Sequence, residues 1–167
     1  NYNFFLLYGE NQGLKKDIIK SINDSINKED SKTEKISFYE NEIIDNKEKL
    51  YNNIYSGSLF SSKKIIIINY GTDKIFKEIE DIVTKYPENV FIIILSEILE
   101  KKSKLRNFFE KDKKTLCVPC YLDLEKNLRY IAQNELRKNG INLSMESINL
   151  LIEKSNSDRQ NLKTEIE

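Results

Sequence analysis

The residues best placed for chemistry stand near the start of the chain. An apolar run, Phe4 to Tyr8, leads into Gly9-Glu10-Asn11-Gln12-Gly13-Leu14-Lys15-Lys16 and then into a helical pattern. A strand, a glycine-bearing turn and a helix N-terminus together make a phosphate cradle, because unpaired backbone N–H groups and the positive end of the helix dipole meet there. In the phosphate-loop pattern GxxxxGK[ST], the Lys reaches the phosphates and the Ser/Thr holds magnesium. Gly9, Gly13 and Lys15 approximate that pattern, but Leu14 stands where the second Gly belongs and Lys16 where the hydroxyl belongs. An ammonium group cannot ligate a metal cation. The third apolar run ends IIIINYG, without the acidic residue that would complete a magnesium site. The loop is degenerate, and two readings stay open: a nucleotide-binding protein with an unusual phosphate loop, or a turn that only joins strand to helix.

Cys117-Val118-Pro119-Cys120 is the other reactive candidate. A redox CxxC opens a helix, whose N-terminus lowers the first thiol's pKa, whereas this pair falls in an apolar run that reads as the last strand. Strand alternation puts the two side chains on opposite faces, and no second pair of Cys or His exists to complete a zinc site. The chain has no His at all, which removes Ser-His-Asp and Cys-His catalysis and imidazole bases together. No catalytic residue, metal site or cofactor is assigned, and no intrinsic catalysis is expected.

Two further segments bear on binding. Lys101 to Lys114 carries seven basic and two acidic residues, with Leu105, Phe108 and Phe109 spaced to bury one helical face. Lys101, Lys102, Lys104 and Arg106 are therefore candidates for phosphate contact with DNA, against the alternative of a solvated helix face. Ser58-Leu59-Phe60 places two large apolar residues in a polar connection, either to close a helix end or to enter a partner's pocket. Burying a Leu and a Phe together would contribute roughly 3–6 kcal/mol, enough to anchor an interface.

The elements that must position these residues follow from patterning. Phe4–Tyr8, Ile36–Tyr39, Ile65–Tyr70, Val90–Leu95 and Thr115–Cys120 read as strands, and IIII and VFIIIL are apolar at successive positions, as in parallel strands covered on both faces. Leu14, Ile18, Ile19, Ile22 and Ile26 recur at helical spacing. So do Leu50 and Ile54, behind an Asp45/Glu48 capping box and ahead of Gly57, and Ile75 to Tyr86, with Asp73 as cap and Pro87 as stop. Alternating strand and helix predicts a parallel sheet flanked by helices. After Tyr121 only helical patterns follow: Leu124 to Lys138, Met145 to Lys154 capped by Ser144, and Asp158 onward. An α/β domain over 1–121 and a small helical domain over 122–167 are expected.

The 167 residues carry 27 basic and 27 acidic side chains. That balance argues against wrapping nucleic acid by bulk charge. Hydrophobic content of 39% supports a packed core. No apolar run approaches the roughly 18 residues that span a bilayer, so no membrane partner is expected and the chain reads as cytoplasmic. Lys, Asn and Ile are abundant and Ala occurs only at Ala132, a bias of the kind an AT-rich genome imposes. A start at Asn1 and an end in mid-helical pattern suggest a piece of a longer protein.

FFLLYGENQGLKKDII, GSLFSSKKIIIINY, VFIIILSEILEKKSKLRNFFEK and LDLEKNLRYIAQNELRKNGINLSMESINLLIEKSNSDRQNLKTEIE occur in that order. In this the chain resembles the delta subunits of bacterial DNA polymerase III clamp loaders. The resemblance implies a RecA-like, AAA+-type α/β domain, a three-helix lid and a collar domain that this sequence does not reach. It also implies a non-ATPase subunit that binds and helps open the sliding clamp (the beta subunit) for loading on primed DNA, beside ATPase subunits and delta-prime in the bacterial replisome. Ser58, Leu59 and Phe60 match the element that enters the clamp's hydrophobic pocket. SNSDRQN replaces the family's glycine-bearing approach to the last lid helix, so Arg159 is not carried over as a nucleotide sensor. VFIIILSEI lacks the Ser-Arg-Cys signature that presents an arginine finger in other loader subunits.

Overall fold

The structure, a computed structural model, describes residues 2–27, 33–56 and 63–167. Each apolar run forms a strand: β1 (Phe4–Tyr8), β2 (Thr33–Tyr39), β3 (Lys63–Asn69), β4 (Val90–Ser96) and β5 (Thr115–Pro119). They form one parallel sheet in the order β2-β3-β4-β1-β5. The continuous apolar sequences lie in the middle of it. All five residues of β1 are buried, and Leu6 sits opposite Ile94 of β4 on one side and Cys117 of β5 on the other. The edge strands β2 and β5 mix polar and apolar residues, as expected where coverage is partial.

Strand alternation divides the core into two layers. Phe4, Leu6 and Tyr8 face one side with Ile66, Ile92 and Ile94, covered by α3 (Lys47–Tyr55), α4 (Phe76–Lys85) and α5 (Lys104–Lys111), which contribute Leu50, Ile54, Ile79, Ile82, Leu105 and Phe109. Phe5 and Leu7 face the other side with Ile65 and Ile93, against Leu14, Ile18, Ile19 and Ile22 of α1 (Gln12–Ile26). A third cluster is made by α6 (Glu125–Lys138), α7 (Met145–Lys154) and α8 (Arg159–Ile166), with Leu128, Ala132, Leu136, Ile148, Ile152, Leu162 and Ile166 at its centre. Ala132, the single alanine, is fully buried there, where a small side chain permits close helix approach. No described helix is long and apolar enough to cross a membrane.

Two helix starts differ from the caps that local spacing predicts. The Asp45/Glu48 capping box does not form. Asp45 instead ends a short helix, α2 (Glu40–Asp45), that periodicity did not predict because only Ile43 in it is buried. Asn46 caps α3 in its place, its side chain accepting from the Lys49 N–H at 3.3 Å. Asp73 likewise does not cap the helix that follows it. Thr72 caps a 3-10 turn, Asp73–Ile75, ahead of α4. The Asp73 carboxylate instead reaches the start of α5, accepting from Ser103 Oγ (2.6 Å) and from the Lys104 and Leu105 N–H groups (both 3.0 Å). A long-range cap of this kind has no signature in local spacing. β2 begins at Thr33, earlier than its apolar core suggests, because ladder pairing with β3 extends through polar residues from Thr33↔Lys63 to Tyr39↔Asn69.

Candidate functional site

The first strand ends in a turn that backbone contacts hold closed. Gly9 has φ +122°, and its N–H points at the carbonyls of Ser96 (3.3 Å), the last residue of β4, and Glu97 (3.2 Å), just beyond it. A Cβ at Gly9 would lie 2.3 Å from the Cys120 carbonyl oxygen, so only glycine lets the exit of β5 pass this close. That carbonyl accepts from the Asn11 N–H at 2.9 Å. The Asn11 side chain caps α1 by accepting from the Leu14 N–H (2.8 Å) and donates from Nδ2 to the Tyr121 carbonyl (3.0 Å) and Asp123 Oδ2 (2.8 Å). One of the N–H groups that a phosphate loop would offer its ligand is thereby satisfied within the chain.

Lys15 occupies the phosphate-lysine position, yet it is only 2% exposed and donates from Nζ to the Ser96 carbonyl at 2.8 Å. Burial pushes its pKa down, with the Glu97 carboxylate opposing. Beside it lies a cavity of about 100 Å³ lined by Gln12, Lys15, Asn69, Tyr70, Leu95 and Glu97. Ligand pockets for molecules of nucleotide size run to roughly 300–1,000 Å³. Asn69, where a magnesium-binding acid would end β3, uses its Nδ2 to tie β3 to Ser37 Oγ and the Phe38 carbonyl of β2.

Gly13, in the first turn of α1, faces α8. A Cβ there would meet Arg159 Cβ at 3.2 Å and the Gln160 nitrogen at 3.3 Å. Arg159 is engaged by two carboxylates. Its Nε and Nη2 donate to Asp123 Oδ2 and Oδ1 at 2.7 and 2.6 Å, and Nη1 donates to Asp17 Oδ2 at 3.0 Å. One turn on, Lys163 Nζ donates to Asp17 Oδ1 at 2.6 Å. Burial alone would raise the Asp123 carboxyl, but hydrogen bonds from Arg159 and Asn11 and the guanidinium charge outweigh it and hold the pKa below its usual value. Sequence reasoning did not find Asn11, Asp17, Asp123 or Lys163. The signals available were the i,i+4 spacing of Arg159 and Lys163 and an acid two residues beyond Lys15.

The remaining candidates separate. Cys117 packs with the α3–α5 layer and Cys120 with the α1 layer, on opposite faces as alternation requires. Burial pushes both thiols up, Cys117 to about 11, the reverse of what thiol-disulfide chemistry needs. In the basic segment, Lys101, Lys102 and Lys104 are exposed. Arg106 is turned inward, stacked 4.8 Å from the Tyr8 ring centroid, paired with Glu110 at 2.8 Å and donating to the Leu99 carbonyl. Ser58, Leu59 and Phe60 lie outside the described residues, as does Gly57.

Comparison with known proteins agrees with this architecture. Solved structures with the same fold include the Bacillus subtilis DNA clamp loader delta protein YqeN, with TM-score 0.68 at 14% identity over 99% of this chain and 52% of that one. AMPPCP-bound DnaA from Aquifex aeolicus gives TM-score 0.61 at 16% identity, covering 99% of this chain and 54% of that one. Domain III of the Thermotoga maritima replication initiation protein DnaA gives 0.57 at 17%, covering 98% and 73%. The fold is thus of the AAA+ type shared with DnaA, and the chain spans about half the length of the delta protein it matches. No curated protein matches it in sequence. Residues 5–120 match the family model described as "DNA polymerase III, delta subunit". Since that match spans well over half of its length, the chain belongs to the DNA polymerase III delta-subunit family.

Proposed function

We propose that this chain is the clamp-engaging part of a non-ATPase clamp-loader subunit, which binds the sliding clamp and helps open it for loading on primed DNA. The observation that carries this reading is the family membership of residues 5–120, joined to a degenerate phosphate loop whose lysine is tied to the Ser96 carbonyl. Residues 1–121 act as the clamp-binding α/β domain and 122–167 as a helical lid. Ser58, Leu59 and Phe60 enter the apolar pocket of the clamp. A subunit that holds the open ring more tightly than the closed ring shifts the population toward open by its difference in affinity. ATP turnover belongs to the partner ATPase subunits, with delta-prime completing the loader. Contact with primed DNA, where this segment makes any, falls to the exposed Lys101, Lys102 and Lys104, since Arg106 is engaged internally.

The test is calorimetric titration of the chain against its own organism's sliding clamp, beside a Leu59→Ala/Phe60→Ala variant of equal helicity. Loss of two apolar anchors worth roughly 3–6 kcal/mol weakens binding by at least about a hundredfold. A well-folded chain that does not bind the clamp, or a double variant that binds as tightly as the parent, would refute the proposal.

A further inference from the structure

Where a phosphate-binding helix receives its anion, at its first turn, this chain receives another part of itself. The N-terminal turn of α8 abuts Gly13, and the cations on α8 are answered by carboxylates on both sides: Asp17 from α1 and Asp123 from the segment entering α6. Asp123 is 5% exposed and Arg159 14%, so the bidentate pair is shielded from water, whereas Asp17 at 31% and Lys163 at 21% form its wetter rim. Asn11, which caps α1, also donates to Asp123, so the loop, α1, the α6 approach and α8 share one network.

The geometry points to a built-in latch: Asp17 and Asp123 hold Arg159 and Lys163 so that α6–α8 and the sheet unit form one rigid body, with internal carboxylates in the role that a bound nucleotide would otherwise fill. The latch makes the orientation of the helical unit indifferent to ATP. The physical grounds are threefold. A bidentate guanidinium–carboxylate pair fixes orientation as well as distance, because both N–H donors must stay in the plane of the carboxylate. Removing one member of such a pair leaves a shielded charge uncompensated, which makes release costly. A three-helix unit of some 46 residues is also near the lower limit for independent folding, so its order depends on being docked.

The experiment is amide hydrogen exchange on the whole chain, comparing the parent with Asp123→Asn, each with and without magnesium ATP. Protection in β1 and β4 reports whether the sheet unit is intact. The latch requires amides in α7 and α8 of Asp123→Asn to exchange at least about tenfold faster while those of β1 and β4 change less than about threefold, in keeping with loss of a charge-assisted bidentate contact. In the parent, magnesium ATP leaves all four elements unchanged. Uniform loss across sheet and helices, no change in the variant, or added α8 protection with ATP in the parent would each overturn the latch. Should Asp123→Asn fail to fold, Lys163→Gln at the exposed end of the network carries the same test, with selective loss in α7 and α8 supporting the latch and uniform or absent loss refuting it.

Discussion

Replacing Gly9 by Ala tests whether the turn after β1 is shaped for closing the chain on itself. At φ +122° the backbone lies beyond the left-handed region that Asn or Asp tolerates, and a side chain there costs roughly 1–3 kcal/mol in strain. The added Cβ would also stand 2.3 Å from the Cys120 carbonyl oxygen and 2.7 Å from its carbon, both backbone atoms with no flexible end to yield. Moving them by about an ångström stretches two hydrogen bonds, Asn11 N–H to Cys120 (2.9 Å) and Cys120 N–H to Tyr8 (2.6 Å), each with a net value near 0.5–1.5 kcal/mol. Strain and lost bonds together come to about 2–6 kcal/mol, reaching the severe class for one substitution at the upper end. For a chain of this size that lowers Tm by about 4–24 °C. Thermal melting by circular dichroism reads it, with Gly140→Ala as control. Gly140 also has a positive φ, +69°, but a Cβ there meets nothing within 4 Å, so only the strain of about 1–2 kcal/mol applies. If Gly9→Ala melts within about 3 °C of Gly140→Ala, the close approach to Cys120 is not what requires glycine and the argument fails.

Two other substitutions test what buried polar contacts contribute to stability. Lys15→Met keeps the length of the side chain and removes a desolvated charge, and the Ser96 carbonyl still faces the Gly9 N–H at 3.3 Å; the expected stability change is within about 1 kcal/mol of zero or a gain, and a Tm drop above about 6 °C would contradict it. Asp73→Ala removes three hydrogen bonds at the start of α5 and is expected to cost roughly 2–3 kcal/mol, a Tm fall of about 4–12 °C. Burial alone would raise the Asp73 carboxyl, but the bonds from Ser103, Leu105 and Lys104 hold it below its usual value. A depressed carboxylate contributes stability that is present above its unfolded pKa, 3.8, and is lost as pH falls through its lower folded pKa. Urea midpoints measured below pH 4 therefore decline less steeply in Asp73→Ala than in the parent, and parallel acid limbs would refute this.

Much of the fold is legible in the sequence because its signals are local. VFIIIL can be apolar at every position only where both faces are covered, and Leu14, Ile18 and Ile22 return to one side of a helix by geometry alone. The degenerate loop is legible for the same reason: an ammonium at position 16 cannot hold a metal in any fold. α2 escaped because one buried residue, Ile43, makes no period. The role of Asp73 escaped because it caps a helix some 30 residues further on, which only docking brings near; Asn46 is a local cap three residues before Lys49, displaced in the reading by the neighbouring Asp45.

Sequence by itself determined the cores of the strands, every described α-helix but α2, the absence of imidazole chemistry and the family likeness, since each rests on residue type and short-range spacing. Tertiary structure alone decided that Lys15 points at Ser96, that Arg106 lies against Tyr8 instead of solvent, and that Arg159 is held by Asp17 and Asp123. Asp17 and Arg159 are 142 residues apart. No local propensity encodes such a pairing: it appears only when β5 returns beside β1 and brings the approach to α6, and with it α8, against the first turn of α1.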